Sequence, residues 1–498
     1  MLVTLLLLSA VCGYLFYFYY WRRRGLPPGP LALPVVGNGL HFRGKSMNAA
    51  FRELESTYGR VYTIDFFGML MVMVNDWELI KDACLKSGDA LSGRPRNWLF
   101  DYFRGGQYGV IFVEGERWRE QRRFALHALR DLGLGRGVME EYILDESAHF
   151  LELVEKRAAT NDGVFNPYEA LQNCVGNVIN DMVFGYRFDD DGASVHKIKS
   201  CFDTFNDDIL SDYKALLLNF QWSRWLPFMA SLYRRLDETR DTVLGFFEEQ
   251  TQKIETDLKT DSEPRCLAEA YLQHMHKINA GQEEAGYFDR SQFLALILDI
   301  WLAGFDTTVT TLHWMLLYMI HYPEVQVKVQ HEIDVNVGRD KEVRLEHKAK
   351  LPYTMATLHE LQRCINLLAV NVMHTATEDI TIAGYRLKKG TVIVPQISAV
   401  MADANHFSDP HRFDPARHLE EDGVTLKKVD TVVPFSLGKR ACLGEALARA
   451  ELFLVLCNFL RVYTIGKAPL EPYPPLIGRF VESLGAREYN CKVEKRPT

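Results

Sequence analysis

The sequence predicts a mainly α fold with small β-sheets, one long central helix and an N-terminal membrane anchor. Three observations carry this. Residues 2–21 hold no charged side chain, and twenty residues at ~1.5 Å each span ~30 Å, the thickness of one hydrocarbon core. The run from Gln292 to Tyr322, stopped by Pro323, is apolar almost all round in its first part. Strand character is confined to Val61–Val74, broken at Gly68, and to Ile380–Val394, with turns at Gly384 and Lys389-Gly390.

Taken in order, residues 1–21 read as a transmembrane signal-anchor. A cleaved leader is disfavoured, because no cation precedes the run and no small-residue cleavage site ends it. Tyr14 to Trp21 resemble an interfacial aromatic belt, and Arg22, Arg23 and Arg24 follow at once. By the positive-inside rule they keep the remainder in the cytosol. Residues 22–38 form a basic, proline-rich connector, in which Pro27, Pro28, Pro30 and Pro34 forbid a continuous helix and leave a stiff, extended link. Residues 39–498 are then one large folded body. With 498 residues and 47 % hydrophobic content there is enough apolar surface for a large core. The net charge is −8 and no basic block exceeds Arg22–Arg24, which argues against nucleic acid as a partner. Nine scattered cysteines without a C-x-x-C pair argue against a disulfide framework and a structural zinc site. Without β–α alternation or G-x-G-x-x-G, a Rossmann domain has no support.

The central helix reads as a core element rather than a second span, since Asp299 and Asp306 lie inside it. Each would cost ~2.5–3.5 kcal/mol near a bilayer centre. At its middle, "AGFDTT" (Ala303 to Thr308) sets a glycine, an acid and two threonines where apolar residues are expected. The residues alone leave two readings: a polar kink satisfied by water, or a groove where something small and polar meets a flat ligand.

The other unusual stretch is "PFSLGKRACLGEALARAELF", Pro434 to Phe453. Leu443, Ala446, Leu447, Ala450, Leu454 and Cys457 fall at helical spacing, which places Cys442 at a helix N-terminus, where N–H groups favour a thiolate. Gly438 permits a positive φ, Gly444 removes a side chain beside a ligand, Lys439 and Arg440 add positive charge, and Phe435 adds apolar cover. This suits a thiolate ligand beneath a flat dianionic cofactor; it also suits an inert buried cysteine.

The spacing F-x-x-G-x-R-x-C-x-G, Phe435 to Gly444, resembles the haem-binding signature of the cytochrome P-450 superfamily at every fixed position. Glu360-Leu361-Gln362-Arg363 resembles its E-x-x-R, Asp414-Pro415-Ala416-Arg417 the segment whose arginine completes a buried charged trio, Ala303 to Thr308 its oxygen-binding motif, and Trp118 with Arg122 its W-x-x-x-R. The anchor, the basic run and "PPGP" resemble the microsomal members. "SGRP" at 92–95, the segments 109–131 and 351–363 resemble the animal clan that metabolises drugs, foreign compounds and fatty acids. One departure stands out: His418 occupies a position where the family commonly has Phe.

The resemblance implies a fold with a long helix over a haem, residues 39–498 being a haem-thiolate catalytic domain. It implies haem b held through its iron by Cys442, with Trp118, Arg122, Arg94, His374 and Arg440 toward the propionates. Phe435, Gly438, Gly444, Ala303 and Gly304 would also border the cofactor. Glu360, Arg363 and Arg417 would be a structural trio. Thr307 would hold oxygen and water by hydrogen bonds, and Asp306 would relay protons from solvent. Ile111, Phe112, Ala303, Leu368, Val372 and Phe480 would wall a lipophilic substrate pocket. The implied activity is a monooxygenase using O2 and NADPH-derived electrons from a membrane flavoprotein reductase, with cytochrome b5 a further candidate partner, on the cytosolic side of the endoplasmic reticulum membrane. A same-fold peroxide isomerase or dehydratase, and a non-catalytic haem sensor or binder, are the alternatives.

Overall fold

A computed structural model describes the chain except residues 35, 67, 134–136, 189–192, 211–216, 219, 261, 477, 481–483 and 498; the side chains of 193, 206–210, 478–480 and 484 are also outside the described set. The helices that frame the site are α1 (Leu2–Tyr19), α2 (Met47–Tyr58), α3 (Gly115–Asp131), α4 (Gly137–Thr160), α5 (Tyr168–Phe184), α6 (Ala193–Leu210), α7 (Ala230–Thr256), α8 (Leu267–Asn279), α9 (Arg290–His321), α10 (Pro323–Asn336), α11 (Pro352–Ile365) and α12 (Glu445–Val462). The strands are short: β1 (Val61–Phe66), β2 (Met69–Val74), β3 (Val164–Phe165), β4 (His374–Thr375), β5 (Ile380–Ile382), β6 (Tyr385–Leu387), β7 (Val392–Pro395), β8 (Tyr463–Lys467), β9 (Gly478–Phe480), β10 (Leu484–Ala486) and β11 (Cys491–Lys495). The mainly α reading with small sheets is the observed architecture.

Both stretches read as strand contribute to the main sheet, of order β1-β2-β7-β4. The first folds at Gly68 into an antiparallel hairpin, Val61 opposite Val74, and β2 pairs in parallel with β7. That sheet also carries His374 on β4, six residues before the second stretch begins, and so brings it to the cavity described below.

Helix α9 is the spine. Asp289 caps it, its Oδ1 accepting the Gln292 N–H at 2.8 Å, and Tyr322 ends it before Pro323. Phe293, Leu296, Ile297, Trp301 and Phe305 are all fully buried on it, so its all-round apolarity reflects protein on every side. Among the described residues, two helices are long and apolar enough to cross a membrane: α1 is exposed over nearly its whole length, and α9 is largely enclosed. Helix α5 packs closely on α9 at Gly304, where a Cβ would lie 2.4 Å from Ile179 Cδ1 and would force that side chain to shift.

The proline connector is not a free spacer. Arg22 pairs with buried Asp65 at 2.9 Å, Thr63 N–H donates to Pro28 O at 2.8 Å, and a Cβ at Gly29 would strike the Thr63 carbonyl at 1.8 Å. The segment is stitched to β1, so the body extends back into the range read as connector.

Candidate active site

A cavity of about 300 Å³ lies between α9, α12, the loop before α12, the loop after α11 and the segment before α3. Its wall brings together Arg94, Ile111, Trp118, Arg122, Ala303, Gly304, Thr307, Leu368, Val372, His374, Phe435, Arg440, Cys442 and Gly444, residues spread over most of the sequence. The lining is mostly apolar, with its charge concentrated at one region.

Cys442 is held in the loop three residues before α12 rather than on the helix. Its N–H donates to Phe435 O at 2.9 Å, and the Gly444 N–H serves the sulfur. The thiol opens on the cavity yet has protein on its other sides. Burial pushes its pKa up, while the Gly444 N–H and the Arg122 charge pull the other way. The two glycines of the loop serve different ends, and Gly438 takes the positive φ that the sequence suggested. At Gly438, φ is +80° and a Cβ would strike the Cys84 carbonyl at 2.3 Å, so glycine is required twice over. A Cβ at Gly444 would meet no protein atom, and what that residue contributes within the protein is its N–H.

Three buried or part-buried arginines converge without an acid. Arg94 donates to the carbonyls of Ile111 (3.1 Å) and Met373 (2.9 Å); Arg122 donates to Ala441 O (2.6 Å); Arg440 donates to the carbonyls of Ser92 (2.7 Å) and Val113 (2.6 Å). Among the described residues none forms an ion pair with a carboxylate. Burial, then mutual repulsion, pulls Arg440 down to about 8 and Arg94 to about 10. The Arg440 guanidinium lies 3.8 Å from the Trp118 ring centroid, and Trp118 Nε1, fully buried, has no hydrogen-bond partner. His374 donates from Nδ1 to Leu91 O at 2.7 Å, and burial with Arg94 nearby brings its pKa down to about 3, so Nε2 carries no proton in the protein alone. A set of cations and an orphaned indole N–H facing one cavity is a receptor for a group with carboxylates.

Glu360 forms the opposite arrangement. Arg363 makes a double bond pattern to it, Nε to Oε2 at 2.7 Å and a second nitrogen to Oε1 at 2.8 Å; Arg417 Nε reaches Oε1 at 2.9 Å. The departure His418 joins them, with Nε2 2.7 Å from Glu360 Oε2, so the trio is a quartet. These residues do not line the cavity.

Thr307 lines the cavity, and its hydroxyl donates to Ala303 O at 2.7 Å. Asp306 does not line it: the carboxylate points toward α6, where Lys199 meets it at 3.1 Å. Phe112 is also outside the lining; it stacks on Phe100 at 4.3 Å and carries Arg104 on its face. The side chain of Phe480 lies outside the described residues. Gly304 borders the cavity, but the space it clears is for Ile179.

Among the lining residues that the sequence reading did not assign to the site are Asp299, Glu451 and Asn371. Asp299 Oδ2 accepts the N–H groups of Val110 (2.8 Å) and Ile111 (3.0 Å), and its other oxygen takes Arg104 at 2.7 Å, fixing the loop above the cavity. Glu451 on α12 lines the wall with both carboxyl oxygens unpartnered among the described residues, and burial pushes its pKa up. Asn371 is the third. An acid set in an apolar helix was the available signal for the first two; nothing local marks Asn371.

The thiol, the converging cations and the flat apolar cavity define the site of a haem-thiolate protein. Comparison with known proteins agrees. A family model described as cytochrome P-450 matches residues 27–492. The chain is 35 % identical over 469 residues to cytochrome P-450 2H2 of Gallus gallus, covering 93 % of this chain and 92 % of that one. It is 36 % identical over 444 residues to cytochrome P-450 2C3 of Oryctolagus cuniculus (88 % and 88 %), and 33 % over 500 residues to cytochrome P-450 2M1 of Oncorhynchus mykiss (98 % and 97 %). The chain belongs to the cytochrome P-450 family. It is a monooxygenase whose cofactor is haem b, fed with NADPH-derived electrons through a redox partner.

Proposed function

We propose that this chain is an anchored monooxygenase that inserts one atom of O2 into lipophilic small molecules, of the class of foreign compounds or polyunsaturated fatty acids. The observation that carries this reading is one largely apolar cavity bordered on one wall by Cys442 and on another by Thr307. Haem bound there supplies oxygen activation, which a thiolate ligand favours by electron donation. Cys442 would be that ligand, steadied by the Gly444 N–H. Arg94, Arg122, Arg440 and Trp118 would hold the propionates; a carboxylate beside His374 would favour its protonated form and recruit Nε2 as a donor.

Thr307 Oγ1 would hold a water and pass a proton into the cavity when its hydroxyl turns from Ala303 O. Asp306, partly solvent-facing beside Lys199, would exchange protons with solvent from the far side of the same helical turn. Ile111, Ala303, Leu368 and Val372 would select for shape and lipophilicity. A membrane flavoprotein reductase, with cytochrome b5 as a second donor, would reach the Cys442 face. Helix α1 and Arg22–Arg24 would place the body on the cytosolic side of the endoplasmic reticulum membrane.

The test is the full-length haem protein and its Cys442→His variant. The ferrous–CO complex should show a red-shifted Soret band that the variant lacks, and lipophile oxidation should require NADPH and reductase together. A band that survives in the variant removes Cys442 from its role. Turnover of peroxides without reductase would instead support the isomerase reading.

A further inference from the structure

Asn371 offers the cavity a polar group that the chemistry above does not use. It sits in the loop between α11 and β4 and is buried, with 6 % of its surface exposed. The loop is pinned to the segment after β7. The Asn371 N–H donates to Gln396 Oε1 at 3.3 Å, and its Oδ1 accepts the Ser398 N–H at 3.4 Å. Gln396 Nε2 and Ser398 Oγ both donate to Ala369 O, two residues earlier. The Ser398 bond decides which end of the carboxamide is which: oxygen faces residue 398, and Nδ2 is the other end.

Among the described residues Nδ2 donates to no acceptor. The residue lines the 300 Å³ cavity and also a smaller one of about 50 Å³ bordered by Thr307. Its neighbours on the wall are Leu367, Leu368, Val372 and Ile397, none of which has an acceptor side chain. Of the other polar groups on the wall, the Glu451 oxygens and Trp118 Nε1 have no partner among the described residues, while Asp299 and Thr307 are engaged. Asp299 is taken by Arg104 and two backbone N–H groups, and the Thr307 hydroxyl donates to Ala303 O. A donor held rigid in a buried, apolar wall loses free energy unless an acceptor meets it, and its tethered oxygen keeps it from turning away.

We propose that Asn371 Nδ2 is a specificity-determining donor, so that the site takes lipophilic molecules carrying a carbonyl or similar acceptor over hydrocarbons of the same shape. This rests on the monooxygenase reading above, and it narrows the substrate class within it. A rigid donor discriminates because an acceptor-free ligand leaves it unpaired, whereas an apolar wall alone would favour the hydrocarbon, whose desolvation is easier.

The experiment uses the full-length haem protein and a matched pair of probes, cyclododecanone and cyclododecane, with binding read by equilibrium dialysis and by the haem Soret shift. In the wild type the ketone should bind at least as tightly as the hydrocarbon. In Asn371→Leu, checked for haem content, the ketone-to-hydrocarbon affinity ratio should fall about tenfold. If the ratio is the same in both proteins, or the hydrocarbon already wins in the wild type, Asn371 holds only water and the inference is overturned, while the lipophile cavity stands. If neither probe binds, the lipophile reading itself fails and takes this inference with it.

Discussion

The protein buries two clusters of charge, and they follow opposite plans. Around Glu360, Arg363, Arg417, His418 and the Asp414 N–H converge on one carboxylate until both its oxygens are saturated. Around the cavity, Arg94, Arg122 and Arg440 converge with backbone carbonyls as hydrogen-bond partners and, among the described residues, no carboxylate in an ion pair. The first cluster closes within the protein and ties α11 to the segment that carries Arg417. The second is a surplus of positive charge, with its strain visible in the lowered arginine pKa values. The difference teaches that stability and binding can be told apart by what each buried charge already touches. A satisfied charge is architecture, and an unsatisfied one is a receptor.

The strongest way to break this contrast is Arg363→Ala. It strips Glu360 of its double-bonded partner and should destabilise the holoprotein by about 3–5 kcal/mol, read by urea unfolding at neutral pH. A loss below about 1 kcal/mol would mean the quartet is not architectural.

Acid comes next. Burial pushes the Glu360 carboxyl up, but hydrogen bonds from Arg363 and His418 outweigh it and hold the group at about 2, below its ordinary 4.5. A depressed carboxyl stabilises the fold fully above its unfolded pKa and loses that contribution as pH falls through the folded one. About 3 kcal/mol should therefore be lost from pH ~4.5 down to ~2. Unfolding free energy measured across that window should fall less steeply in Glu360→Gln than in the wild type.

Trp118→Phe sharpens the other side. It keeps the ring beneath Arg440 and removes only the unpartnered N–H. Haem dissociation should quicken about tenfold, because a donor to an anionic group is gone, while apoprotein stability changes by less than about 0.5 kcal/mol. Loss of apoprotein stability without a change in haem release would place Trp118 in the architecture. The smallest expected effect is His418→Phe. One bond to Glu360 is lost, but so is the buried, unpartnered Nδ1, and the net change in unfolding free energy should be about 1 kcal/mol or less.

Much of the site was legible because its signals are local. Phe435 to Gly444 carry a loop and a helix start within one short stretch, and Glu360 with Arg363 share a helix face. What the sequence did not show was the direction of individual side chains. Asp306 and Thr307 are adjacent in sequence, yet one pairs with Lys199 on α6 and the other faces the cavity, because successive helical residues point about 100° apart. Phe112 follows Ile111, which lines the cavity, but its ring is taken by Phe100 and Arg104. Gly304 borders the cavity as expected, and the structure adds that Ile179 on another helix packs against the place of its missing side chain.

By itself, then, the sequence determined the mainly α class, the apolar N-terminal helix, the spine and the motifs that meet at the cavity. Hydrophobic period, caps, glycine loops and short motifs all act over a few residues, and so they leave a local trace. Only the tertiary structure decided which polar groups are paired and which are not. It joined Asp299 to Arg104 across 195 residues, brought His418 onto Glu360, left both Glu451 oxygens without a partner among the described residues, and tied the Asn371 oxygen to Ser398 at the cavity wall. A hydrogen bond between distant segments imposes no period and no composition on either one, so its presence or absence is settled when the chain closes around it.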